Sequence, residues 1–151
     1  MTATTTSPMR IAGLNRTQAQ QLYDLVDQVA EEAGLTSKCI FGPDQNMYAV
    51  AYRRALMWAF RDGYRMTYQQ IGSLFTGKNL NPYNHTSVMA GINKVQEEAK
   101  LYYSENKGRW CARGSELPAS DVRLREALQL VAELWNQFHP QNQLREWKNT
   151  L

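Results

Sequence analysis

The chain has 151 residues but only two cysteines and two histidines. Cys39, Cys111, His85 and His139 stand far apart, and no pair among them has the spacing of a metal-ligand set, so a metal site is not expected. The two thiols are expected to be reduced and structural. No run of eighteen apolar residues occurs, which excludes a membrane-spanning helix. The N-terminal stretch MTATTTSPMR lacks a charged segment followed by an apolar one, so no secretory leader is expected and the chain is placed in the cytoplasm. Alternating Val/Ile/Thr segments are missing too, which argues against a sheet. No paired carboxylates and no nucleophile next to a base can be pointed to, so the chain is not read as an enzyme and no cofactor is implied.

What is present is helical. Leu, Ala, Gln, Met and Arg recur in long segments, and with 43% hydrophobic residues the chain can bury one good core but hardly two. Residues 1–16, Thr-rich and without periodicity, are expected to be a disordered tail. From Thr17, a plausible N-cap, Leu22, Leu25, Val26, Val29 and Ala33 repeat at helical steps until Gly34 stops them. Thr36 to Phe41 predicts a short helical turn, broken by Gly42-Pro43. Residues 46–62 are apolar almost all round, which predicts a central buried helix interrupted only by Arg53, Arg54 and Arg61. Helical spacing puts those three arginines in one sector, spread over about 100°. Their plainest role is to lay their stems over the core edge with the charged heads in water.

Further on, Thr67 and Gln70 have the form of a capping box, and Ile71, Leu74 and Phe75 give a short helix of about nine residues ending near Gly77. Turn formers follow over residues 78–84. Asn84 then caps a longer helix with the stripe Val88, Ile92, Val95, Ala99, Tyr102. Short helix, turn and long helix are the order of a helix-turn-helix, within a domain drawn over residues 17–107. Residues 108–120 read as a loop. Asp121 caps a last helix, Leu124 to Phe138, in the segment 121–151, and its apolar face is expected to pack on the domain. The minority expectation for residues 121–138 is weak self-association.

Charge is unevenly distributed. Residues 46–95 carry six Lys/Arg against one Asp/Glu, whereas residues 1–45 carry three against five and residues 96–151 eight against eight. A basic centre suits an anionic partner, though an ordinary solvated surface would look the same.

The segment from Gly72 to Val88, GSLFTGKNLNPYNHTSV, holds two competing signals. Gly72 to Lys78 fits G-x-x-x-x-G-K, but Asn79 replaces the Ser or Thr that binds Mg²⁺ and no strand precedes it, so nucleotide binding is not expected. The second half offers Asn84, His85, Thr86 and Ser87 at the start of the second helix, where a helix-turn-helix presents side chains to base edges. A polar residue at an ordinary helix start remains the plainer account of His85. Asn93 and Lys94 keep the outer face polar further along.

From about Leu22 to Val95 the chain resembles the C-terminal DNA-binding domain of the bacterial replication initiator DnaA. Val29-Ala-Glu31 resembles a helix end of that family, and Ile40-Phe41 sits at its Leu-Leu. Arg53 falls on the arginine of Ala-Arg-Gln, Arg61 on a Lys/Arg before the next helix, and Ile71-Gly72 and Phe75 on Glu-Ile-Gly…Phe. Asn84-His-Thr-Ser-Val88 is similar to the signature Asp-His-Thr-Thr-Val. The chain differs in its uncharged Gly42–Asn46 loop, in a turn about four residues longer around residues 78–83, and in Asn84 for the family's Asp.

The resemblance implies a Trp-repressor-like helical domain, and with the periodicity of residues 121–138 the expected fold is an all-α bundle with an added C-terminal helix. It implies sequence-specific binding to double-stranded DNA at an A/T-rich box, and the leading expectation is a stand-alone, nucleoid-associated protein without an ATPase, in replication or its regulation, from a phage or mobile element. Asn84, His85, Thr86 and Ser87 are the expected base-reading residues. Arg53, Arg54, Arg61, Lys78 and Lys94 are the expected contacts to the DNA backbone. Two alternatives stay open: a dimeric helix-turn-helix transcriptional regulator that reads a palindrome, and a protein-interaction module that has lost DNA binding.

Overall fold

The computed structural model describes residues 11–77, 80–98, 102–104, 109–111 and 119–142, with side chains over residues 11–77, 80–95 and 123–142. The described chain forms an all-α bundle of six helices: α1 Arg16–Ala33, α2 Ser37–Phe41, α3 Met47–Gly63, α4 Tyr68–Gly72, α5 His85–Glu98 and α6 Ala119–Phe138. An antiparallel hairpin, β1 Tyr102–Ser104 and β2 Arg109–Cys111, lies between α5 and α6. Lys78 and Asn79, and most of the tail over residues 1–10, lie outside the described residues.

Local chemistry accounts for most boundaries. α1 is capped by Asn15, not Thr17: the Asn15 carboxamide oxygen accepts from Gln18 N–H at 2.8 Å and Gln18 Oε1 accepts from Asn15 N–H at 3.0 Å, a complete capping box. Gly34 ends α1 in the left-handed region, with φ 74°. Thr36 and Asn46 cap α2 and α3 through their side-chain oxygens. The tail expected over residues 1–16 is shorter than that, because Ile11 is buried in the core and the carbonyl of Ile11 accepts from Leu14 N–H at 3.0 Å.

α3 is the central element, and its Ala55 to Phe60 stretch is buried without interruption. α4 and α5 pack on each other and α5 on α3, while α6 lies along α3 and touches α1. Aromatic rings run through the core in contact from Tyr23 to Phe41, Phe75, Phe60, Tyr64, Trp135 and His139. α6 turns Leu124, Leu128, Val131, Leu134 and Trp135 into the domain, so the apolar face that would have driven self-association is covered by the chain itself.

Gly63 makes the α3–α6 approach possible, because any Cβ there would enter the Trp135 ring. The same corner carries a hydrogen-bonded clasp. Trp135 Nε1–H donates to the Asn142 carbonyl at 2.7 Å, and the Asn142 carboxamide donates to the Gly63 carbonyl at 3.0 Å. The Tyr64 hydroxyl and His139 Nε2 meet at 2.7 Å beside it.

Two expectations at the C-terminal side are corrected. Tyr102 does not continue the buried stripe of α5 but pairs with Cys111 in the hairpin, so residues 109–111 of the expected loop are a strand. The last helix starts at Ala119, two residues before Asp121. Among the described residues no helix is long and apolar enough to cross a membrane, and no group of His, Cys, Asp and Glu could hold a metal.

Candidate nucleic-acid interface

The α4–α5 unit is built from the predicted caps. Gln70 N–H donates to Thr67 Oγ1 at 3.1 Å and Thr67 N–H donates to Gln70 Oε1 at 2.9 Å, fixing the start of α4. α4 is only five residues long, Tyr68–Gly72, where nine were expected. The chain then leaves the helix in a small hairpin-like loop instead of a tight turn. Thr76 bridges Pro82, Gly77 N–H donates to the Asn81 carbonyl at 2.8 Å, and Tyr83 N–H donates to the Phe75 carbonyl at 3.1 Å. These bonds absorb the extra residues of the connection while returning the chain to the head of α5.

Gly72 now has a physical role that involves no phosphate. A Cβ on it would run into the Tyr83 carbonyl, so glycine lets the incoming strand of the loop cross directly over the end of α4. Both the glycine and the following loop serve the approach of α4 to α5.

Asn84 caps α5, its carboxamide oxygen accepting from Ser87 N–H at 2.8 Å. Val88, Ile92 and Val95 are buried, as the periodicity predicts. The opposite face is open: Asn84, His85, Thr86, Ser87, Ala90 and Asn93 are exposed, with Met89 and Lys94 at its edges. Thr86, Ala90 and Asn93 fall at helical spacing along its centre. This is a polar, sterically slim helix face. It carries a hydroxyl donor and acceptor at Thr86, an imidazole at His85 and a carboxamide at Asn93, groups that match the donors and acceptors of base edges. Ala90 leaves close approach unobstructed.

The three arginines of α3 separate sharply. Arg53 is 2% exposed and is not placed to touch a DNA backbone. Its Nε donates to the Ile40 carbonyl at 2.8 Å, and its Nη2 donates to the Cys39 and Asp44 carbonyls at 2.9 and 2.8 Å. Its Nη1 donates to the Tyr83 hydroxyl at 3.3 Å. The guanidinium thus satisfies the carbonyls left open at the end of α2 and ties them to the loop that enters α5. Arg53 positions the loop at Tyr83 against the end of α2. It sits beside Asp44, whose carboxyl is held below the usual carboxylate range by the Asn46 N–H first, then by a hydrogen bond with Cys39, with Arg53 contributing a smaller attraction.

Arg61 is half-buried. It donates to the Met66 carbonyl at 2.8 Å and lies 4.4 Å from the centroid of the Tyr68 ring, a cation–π contact that braces the entry to α4. Arg54 is half-buried as well, and its stem passes Gly91 of α5. Lys94 is exposed, whereas Lys78 lies outside the described residues.

Two basic residues were missed by the sequence reading. Arg65 is exposed in the α3–α4 connection with φ 60°, two residues ahead of the Thr67 cap. Its position outside any apolar period was the available signal. Arg123 comes from α6, far along the chain, and nothing local in the sequence points to it. The described chain therefore offers Arg54, Arg65, Lys94 and the outer part of Arg61 around the α4–α5 unit. Compared with known protein families, with curated proteins and with solved structures, the chain has no match.

Proposed function

We propose that the protein binds double-stranded DNA in a sequence-specific manner, with α5 as the helix that enters the major groove and α4 as the helix across the backbone. The observation that carries this reading is the exposed face of α5: Asn84, His85, Thr86 and Ser87 lead it, and the buried face is locked by Val88, Ile92 and Val95. Thr86 and His85 read bases, and Asn84 serves mainly as the cap. Arg54, Arg65 and Lys94 hold phosphates, with Arg61 bracing α4. The resemblance to the DnaA C-terminal domain supports an A/T-rich box as the site and replication or its control as the setting. Binding requires neither a nucleotide nor a metal in this proposal.

The covered apolar face of α6 favours an asymmetric site read by one copy over a palindrome read by two. Selection of bound duplexes from a random library at two salt concentrations tests this. Recovery of one asymmetric A/T-rich box supports the proposal, a palindrome points to a dimeric regulator, and no enrichment contradicts sequence-specific binding.

A further inference from the structure

Three cations from three helices meet on one cleft beside α5. The cleft has a volume of about 260 Å³ and is lined by Arg54 of α3, Lys94 of α5 and Arg123 of α6, over an apolar floor that includes Val50 and Leu124. None of the described residues that line it is acidic, and Gln45 adds a carboxamide at its edge.

Arg123 is the informative member. Its Nε and Nη1 are buried and have no hydrogen-bond partner, while its guanidinium carbon lies 5.2 Å from the centroid of the Tyr48 ring. A buried donor left unpaired is costly, and more so when the group is charged. That cost is relieved when the guanidinium turns from the ring toward an oxyanion in the cleft. A ligand with several acceptor oxygens and no donor suits an arginine fork. Three cations favour a group that can carry two negative charges over a carboxylate with one.

We propose that this cleft is a phosphate-binding site. The phosphate has two chemically equivalent sources, the backbone of a DNA duplex lying along the Lys94 edge of α5 or a free phosphorylated small molecule with an apolar body. The site does not depend on the helix-turn-helix reading, because it rests on Arg54, Lys94 and Arg123 alone.

The test is a titration of the full chain with inorganic pyrophosphate at constant ionic strength, followed through the Nε–H nuclear magnetic resonance signals of the arginines. The expected result is a saturable shift confined to Arg54 and Arg123, weakened at least tenfold in Arg123→Gln and in Lys94→Gln. Lys94 lies on an exposed face, so its variant keeps the comparison valid if Arg123→Gln loses structure. Shifts that never saturate, that spread over all arginines, or that are unchanged in both variants overturn the site. A duplex added afterwards distinguishes the sources: displacement of pyrophosphate supports the DNA backbone, and simultaneous binding supports a small phosphorylated ligand. Since the first stage contains no DNA, its failure leaves the helix-turn-helix proposal untouched.

Discussion

The Tyr64 hydroxyl lies 2.7 Å from His139 Nε2, inside the core, where the end of α3 meets the end of α6. His139 Nδ1 faces the Trp135 carbonyl at 3.1 Å. One neutral tautomer satisfies both contacts: Nδ1–H donates to the carbonyl and Nε2 accepts from the hydroxyl. Burial pushes the imidazole below its usual pKa of 6.5, only partly opposed by the hydrogen bond to Trp135, and pushes the Tyr64 phenol well up.

A depressed histidine pKa means that the unfolded chain binds the proton more readily than the folded one. The stability it contributes is therefore present above about pH 6.5 and is lost as pH falls toward the folded value, with a slope of up to about 1.4 kcal/mol per pH unit. Urea unfolding of wild type and His139→Gln at pH 7.5 and 5.5 checks this. The difference between the two pH values should shrink in the variant, and an equal drop in both proteins would locate the acid sensitivity elsewhere.

Arg53→Ala should destabilise the fold by about 3 kcal/mol or more, because three carbonyls and the Tyr83 hydroxyl lose a charged donor in a buried place. Chemical denaturation measures it. A near-wild-type midpoint combined with weakened DNA binding would instead return Arg53 to the backbone-contact role that the sequence suggested.

That reassignment shows where the sequence was legible. The caps at Thr67 and Asn84 are legible because each depends on groups within three residues of itself. The buried stripe Val88, Ile92, Val95 followed from its period. Arg53 could not be assigned from its helix alone, since what buries it is the end of α2 and the loop at Tyr83, 13 and 30 residues away. Tyr102 fits the α5 period equally well in a helix, and only its pairing with Cys111 places it in a strand. Asn15 and Thr17 are both good caps, and the burial of Ile11 belongs to the shorter tail that Asn15 leaves. The polar outer face of α5 was legible, but the convergence of Arg123 with Arg54 and Lys94 on the neighbouring cleft was not.

Gly72→Ala and Gly63→Ala carry a diagnostic sign. Alanine for glycine at an unstrained site normally stabilises by about 0.4–1 kcal/mol. Here the new methyl meets the Tyr83 carbonyl or the Trp135 ring, so both variants should lose about 1–3 kcal/mol, measured by thermal unfolding. Gly72→Ala should also weaken DNA binding in proportion to the disturbance of α5, whereas Gly63→Ala should leave the affinity of the folded protein unchanged. A stabilised Gly72→Ala would mean that the loop at Tyr83 does not cross the end of α4 this closely.

Salt dependence separates phosphate contacts from scaffold. Arg54→Ala and Lys94→Ala should each lower the slope of log affinity against log salt by about 0.9 and weaken all duplexes alike. Arg61→Ala should change the slope less, because its guanidinium is engaged by the Met66 carbonyl and the Tyr68 ring. Fluorescence anisotropy on a random duplex over a range of salt concentrations gives the slopes. Unchanged slopes for Arg54→Ala and Lys94→Ala would remove both residues from the interface.

The central claim is that the start of α5 reads bases, and the measurement that tests it most directly is a paired titration of His85→Ala and Thr86→Ala against the selected duplex and a scrambled one at fixed salt. Each lost base contact should cost about 1–3 kcal/mol on the selected site and little on the scrambled one, so the ratio of the two affinities should fall. A loss of equal size on both duplexes, or no loss on either, would contradict base reading by these residues.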